Sequence, residues 1–204
     1  MRRFAAVLLD MDGTLVDSDA AVERAWVTWA GESGVPVAEL RPRMHGNPAP
    51  TTIRAVRPDL SDDGVERAAA RQLELQYTDL DDVVPTPGTA RLLVALKELD
   101  LPWAVVTSAD RRLARARLGA AGIAPPMLVT VEETPRGKPH PDPYLAAAAR
   151  LGVEPGDCLV VEDSQPGIDA GQAAGCTVAA LRGLDADIRI ATLADLADLL
   201  QAQP

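Results

Sequence analysis

Ala5-Ala6-Val7-Leu8-Leu9-Asp10-Met11-Asp12-Gly13-Thr14 decides the reading of this chain. The apolar run reads as a buried parallel strand, too short for an amphipathic helix and without polar alternation. Two carboxylates follow at once, at the carboxyl end of the strand, where open α/β sheets place their ligands. Inside the strand such charges would be costly; at its tip they can bind a cation and do chemistry. Gly13 permits a sharp turn behind them. The stretch therefore suggests a carboxylate nucleophile, a second carboxylate two positions on, and a bound metal.

Working outward, similar apolar runs recur at Trp103–Val106, Met127–Val131 and Cys158–Val161, with helix-like sequence between them, and Val178–Leu181 is a candidate fifth. Strands alternating with helical patterns imply α/β class: a Rossmann-like parallel sheet core with helices on both faces. The gap between the first two runs is far too long for one crossover, so the chain divides into a core of residues 1–15 and 85–204 and an insert of residues 16–84. The insert reads all-helical. Asp19–Glu32 carries Val22, Ala25, Trp26 and Trp29 at helical spacing and stops at Gly34. Thr51–Val56 reads as a second helix, and Ser61-Asp62-Asp63 caps a third, Gly64–Tyr77. Val84-Pro85-Thr86-Pro87-Gly88 is a turn-rich return to the core, followed by an amphipathic helix over Thr89–Leu99. The two tryptophans read as core of the insert.

Bulk properties narrow the function. The 204 residues suffice for one good core and a small accessory domain. At 47% apolar with 3% aromatic, the core is aliphatic. A net charge of −10 argues against a nucleic-acid surface and obliges any phosphate site to supply local cations against the global field. Cys158 and Cys176 lack CxxC spacing, so neither a disulfide framework nor a zinc site is suggested. Met1-Arg2-Arg3-Phe4 leads straight into the first strand and the apolar run ends in acids too soon for a signal peptide, so the expectation is a cytoplasmic protein with no membrane partner. A monomer or weak dimer is expected, although no feature of the sequence decides the oligomeric state.

The strand tips carry the chemistry. After the first come Asp10 and Asp12; after Trp103–Val106 come Thr107 and Ser108. Arg136-Gly137-Lys138-Pro139 follows the third, and Glu162-Asp163 the fourth, with Ser164 and Gly167 opening a helix. Taken singly, the acids and hydroxyls also read as helix caps, and a loop lysine as a solvated one. Yet Lys97 and Lys138 are the chain's two lysines, and one stands at a strand end. In order and type the four segments resemble the motifs of the haloacid dehalogenase superfamily of phosphoryl-transfer enzymes: DxDGT at Asp10–Thr14, a strand-end hydroxyl at Thr107, the GKP lysine at Lys138, and the acidic pair Glu162-Asp163. The likeness spans essentially the whole chain, including a helical cap inserted after the first motif.

That resemblance implies a Mg²⁺-dependent enzyme acting on a small phosphorylated molecule. Asp10 would attack phosphorus and form an aspartyl-phosphate; Asp12 would protonate the leaving alkoxide and then activate water. Side chains of Asp10 and Asp163 and the backbone carbonyl of Asp12 would ligate the metal, with Glu162 binding through water or orienting from behind. Thr107, Ser108 and Lys138 would hold phosphate oxygens. Within the family, Asp12 disfavours dehalogenation, and the absence of lysine from residues 16–84 leaves no Schiff-base residue for phosphonate chemistry. β-Phosphoglucomutase resembles the chain more distantly: the places of its cap-linker histidine and cap arginine are taken by Val22 and Ala49. The segment Met44-His45-Gly46-Asn47 is similar to the His-Gly cap loop of sugar- and polyol-phosphate phosphatases; His45 and Gly46 would then read substrate hydroxyls, with Arg54 and Arg111 as secondary candidates for substrate contacts. The expected function is a sugar- or polyol-phosphate phosphatase. A phosphomutase, or a non-catalytic binding protein on the same fold, is the alternative.

Overall fold

In the computed structural model, residues 4–44, 48–78 and 80–202 are described. The chain forms two compact units, residues 1–17 with 84–204, and residues 18–83. The first unit is built on six strands: β1 (Ala6–Leu9), β4 (Trp103–Val106), β5 (Leu128–Val129), β6 (Cys158–Glu162), β7 (Thr177–Ala180) and β8 (Ile188–Arg189). They form one sheet in the order β5-β4-β1-β6-β7-β8, with every pairing parallel. Around it lie α5 (Thr89–Glu98), α6 (Arg111–Ala120), α7 (Asp142–Leu151), α8 (Gln165–Ala173) and α9 (Leu193–Gln201).

β1 is central, and all four of its residues are buried. That requires cover on both faces, which explains the continuous apolar run in place of alternation. On one face Ala6 and Leu8 join Val106, Val160, Tyr144, Ala147, Ala148 and Ile168 in a single aliphatic core. Register then decides where the polar residues end up. Leu9 pairs with Val105 on one side and Val161 on the other, so Asp10, Val106 and Glu162 emerge at one level of the carboxyl edge.

The loop after β1 is wound tightly. The backbone N–H groups of Thr14, Leu15 and Val16 all converge on the Met11 carbonyl, and Gly13 N–H reaches the Val16 carbonyl at 2.8 Å. Thr86 Oγ1 donates to the Thr14 carbonyl at 2.5 Å and Thr89 Oγ1 to that of Leu15 at 3.1 Å, which fastens this loop to the start of α5. The two connections to the second unit pair as a short antiparallel ribbon, β2 (Val16–Asp17) against β3 (Val84–Pro85). This ribbon was not foreseen, because two residues carry no readable period. Its pairing keeps residues 16, 17 and 84 with the sheet unit.

The second unit holds α1 (Asp19–Ser33), α2 (Val37–Leu40), α3 (Ala49–Val56) and α4 (Asp62–Gln76). Gly34 ends α1 in the left-handed conformation, and the Ser61 side chain caps α4 by accepting from Gly64 N–H at 3.2 Å. Trp26 and Trp29 meet edge to face, with centroids 5.5 Å apart, inside a core with Leu40, Ile53 and Val65. Trp29 Nε1–H is satisfied by the Ala68 carbonyl at 3.0 Å.

Candidate active site

Asp10 is the first residue past β1, and its N–H is tied to the Val161 carbonyl of β6 at 3.0 Å. This backbone bond sets the first acidic pair beside the second. Asp10, Glu162 and Asp163 each present a carboxylate oxygen, and the three oxygens lie within 4.8 Å of one another. Lys138, delivered by the loop before α7, enters the same point. Its Nζ donates to Asp10 Oδ1 at 2.5 Å, to Glu162 Oε1 at 2.6 Å and to the Val106 carbonyl at 2.9 Å. Three donors meet three acceptors, so the ammonium is fully satisfied although its side chain is 5% exposed. The Val106 carbonyl belongs to the residue before Thr107, so this contact also fixes the lysine beside the hydroxyl segment.

Glu162 organises the cluster from beneath. It is wholly buried and accepts from five donors: Lys138 Nζ, the Tyr144 hydroxyl at 2.7 Å, the N–H groups of Asp163 and Ser164, and Ser164 Oγ. Its carboxylate lies at the start of α8, where exposed N–H groups and the helix dipole favour an anion. Gly167 makes room for it, since a Cβ there would fall inside the Glu162 carboxyl group. Gly13 plays the same part above Asp163: its φ is +79°, and a Cβ would collide with Asp163 Oδ2.

These neighbours fix the electrostatics. Burial, then the adjacent Glu162 and Asp163, push the Asp10 carboxyl well above the usual range, with Lys138 opposing. For Lys138, burial works against the charge, but Asp10 and Glu162 outweigh it and hold the ammonium above its ordinary value. Burial and Glu162 likewise push the Tyr144 phenol upward. One ammonium against three carboxylates leaves an excess of negative charge on hard oxygen donors. That donor set fits a small divalent cation such as Mg²⁺.

The remaining sequence candidates are placed as follows. Asp12 stands outside the three-oxygen cluster, and its Oδ2 pairs with Arg117 Nη1 at 2.7 Å. Thr107 is buried, and its Oγ1 accepts from Ala109 N–H at 3.0 Å. Asp110 is the cap of α6, so neither Thr107 nor the exposed Ser108 serves that purpose. Arg54 lies on α3 in the second unit and donates to Asp62 at 2.5 Å. Arg111 pairs with Glu133 at 2.8 Å. His45 and Gly46 fall outside the described residues.

Three residues at the site were not anticipated. Arg117 sits within α6, Tyr144 in the first turn of α7, and Arg182 follows β7; its Nε reaches Asp163 Oδ2 at 2.8 Å. None lies in a motif. The available signals were an arginine at the apolar spacing of α6, with Leu113 and Ala114, and a tyrosine heading a run of alanines.

Hexitol phosphatase A of Escherichia coli is 42% identical over 180 residues, covering 88% of this chain and 83% of that protein. Fructose-1-phosphate phosphatase YqaB of the same organism is 30% identical, covering 85% and 94%. Among solved structures, a hydrolase from Pseudomonas syringae superimposes with a TM-score of 0.84 at 24% identity, over 97% of this chain and 98% of that one. β-Phosphoglucomutase from Clostridium difficile does so with a TM-score of 0.83 at 20% identity, over 95% and 93%. The family model for haloacid dehalogenase-like hydrolases matches residues 4–175, which takes in all four strand-end motifs, and the chain belongs to that family.

Proposed function

We propose that the protein is a Mg²⁺-dependent phosphatase of small sugar or polyol phosphates, working through an aspartyl-phosphate at Asp10. The observation that carries the reading is the junction of Lys138 with Asp10 and Glu162, with Asp163 alongside, at the carboxyl edge of a parallel sheet. The names of the relatives support the substrate class: a hexitol phosphatase and a fructose-1-phosphate phosphatase, as above, and glycerol-1-phosphate phosphohydrolase 2 of Saccharomyces cerevisiae, 31% identical over 183 residues.

The roles follow from placement. An Asp10 oxygen attacks phosphorus as the bond to the substrate alkoxide breaks, and Asp12 gives its proton to that alkoxide. Asp12 then takes a proton from the water that attacks the acyl phosphate, releasing phosphate and restoring Asp10. Lys138 steadies the nucleophile before reaction and offsets the charge of a phosphate dianion during it. The Thr107 hydroxyl and the Ser108 segment line the same edge and bind phosphate oxygens. Glu162 orients Lys138 from behind, since both of its oxygens are already engaged. Oxygens of Asp10 and Asp163, with the Asp12 carbonyl, would hold Mg²⁺, which when bound neutralises phosphate charge that would otherwise repel a carboxylate nucleophile. Residues 18–83 act as the cap, with His45, Gly46 and Arg54 as the residues that read the substrate's hydroxyls.

The test is phosphate release from a panel of hexitol, glycerol and ketose phosphates with Mg²⁺ or with EDTA. The reading requires turnover with Mg²⁺ and its loss with EDTA. Equal rates in both, or conversion of a sugar 1-phosphate to the 6-phosphate without free phosphate, would contradict it.

A further inference from the structure

β7 ends in a tight turn whose sequence is unexpected. Leu184 N–H bonds to the Leu181 carbonyl at 3.1 Å, and the two central residues, Arg182 and Gly183, have φ of +53° and +72°. Positive φ at both central positions is the pattern of a type I′ turn, where Asn, Asp or Gly normally stand first. An arginine there carries the steric cost of the left-handed region. Such a residue persists where the surrounding structure holds it, and this occurs most often at functional sites.

The side chain shows what the position achieves. Arg182 Nε meets Asp163 Oδ2 at 2.8 Å, and its Nη2 packs where a Cβ of Gly13 would project. The guanidinium therefore lies between the fourth motif and the turn of the first. Asp163 is nearly enclosed, while Arg182 remains 42% exposed. When all are ionised, the cluster of Asp10, Glu162, Asp163 and Lys138 has a net charge of two negatives. Arg182 offsets one of them on the very carboxylate that is offered to a metal.

We infer that Arg182 is a built-in counter-cation that weakens divalent-metal binding in the substrate-free enzyme and strengthens binding of the phosphate dianion. The inference rests on the metal-dependent phosphatase reading. Without Arg182 the cluster would match a divalent ion charge for charge. With Arg182, the loaded site carries an extra positive charge that an incoming dianion satisfies. Metal and phosphate then favour each other's binding, and the metal is held most firmly when there is substrate to act on.

R182N is suited to the test, because Asn is at home in the left-handed region and the turn is kept; R182G serves as a second variant with the same backbone tolerance. Repulsion between a unit charge and a divalent ion ~6 Å apart at aqueous dielectric corresponds to about a tenfold change in affinity. Titration calorimetry of the full chain with Mg²⁺ should therefore give about tenfold tighter binding in R182N and R182G. Inorganic phosphate added to the Mg²⁺-loaded protein should bind several-fold more weakly. R182K, which keeps the charge, should lie closer to the parent than to R182N on both measures. Unchanged or weaker Mg²⁺ binding in R182N, or R182K behaving as R182N does, overturns the inference while leaving the metal centre standing. If neither the parent protein nor R182N takes up Mg²⁺, the metal reading fails and the inference falls with it.

Discussion

Replacing Lys138 with methionine tests how the site is held together. The substitution keeps the length of the side chain and removes one charge and three hydrogen bonds, to Asp10, Glu162 and the Val106 carbonyl. Glu162 is wholly buried and Asp10 nearly so, so K138M leaves both carboxylates buried without their counter-charge. Breaking a buried ion pair by deleting one partner typically costs about 3–5 kcal/mol, mostly through the charge left behind. At roughly 2–4 °C per kcal/mol for a chain of this size, Tm should fall by about 6–20 °C. Thermal unfolding of the full chain by circular dichroism in EDTA measures it. D10N/K138M should recover part of the loss, because one of the two stranded carboxylates is then neutral. Phosphate release should also fall by a factor of about 10²–10³, the usual effect of removing one preorganised electrostatic donor. A Tm drop under ~2 °C, the scale of an exposed ion pair, would refute the view that Lys138 is the keystone of the cluster.

Other predictions follow from the same geometry. D12N should lower phosphate release by about 10²–10⁴, as expected for a lost general acid–base, and should lower Tm as well, because it takes the carboxylate from the buried Arg117; stopped-flow measurement should find both phosphoenzyme formation and breakdown slowed. G167A forces a methyl group into the Glu162 carboxyl and should cost at least the ~1–3 kcal/mol of an overpacked core, read as a lower midpoint in urea; a neutral result would mean that Glu162 does not lie where described. Because the folded protein pushes the Asp10 carboxyl up, its proton is held more tightly in the folded than in the unfolded chain. The favourable share of stability is present at acid pH and is lost as pH rises through the folded value. In EDTA, D10N should accordingly be more stable than the parent at neutral pH, with the gap closing toward the ordinary carboxylate range. A D10N protein less stable than the parent at neutral pH would reverse that sign.

The legible part of this protein was what short-range pattern controls. Continuous apolar runs marked β1, β4 and β6, because strands buried on both faces need no alternation. Gly34 and Ser61 marked the ends of helices in the second unit by their own backbone and capping chemistry. The gathering of Asp10, Lys138, Glu162 and Asp163 was legible because Asp10 and Asp163 directly follow core strands, Glu162 ends one and Lys138 stands in the loop beyond another, and parallel register brings such positions to one edge. What escaped depends on partners remote in sequence. β8 and the β2–β3 ribbon have two residues per strand and are defined by their neighbours. Tyr144 supports Glu162, Arg117 pairs with Asp12, and Arg182 reaches Asp163 from a turn whose conformation its residue type disfavours. Glu162 itself was recognised as an acid, but only the packing reveals that five donors occupy it.

The central claim is that Asp10 becomes covalently phosphorylated during turnover. The direct measurement is to mix the protein with Mg²⁺ and a ³²P-labelled polyol phosphate, quench in acid within the first turnover, and locate the label by peptide mapping. Borohydride reduction of the acyl phosphate then marks the residue as homoserine. The account predicts label and homoserine at position 10, lost together with phosphate release in D10N. Phosphate release from D10N at a rate near that of the parent, or label on any other residue, would contradict it.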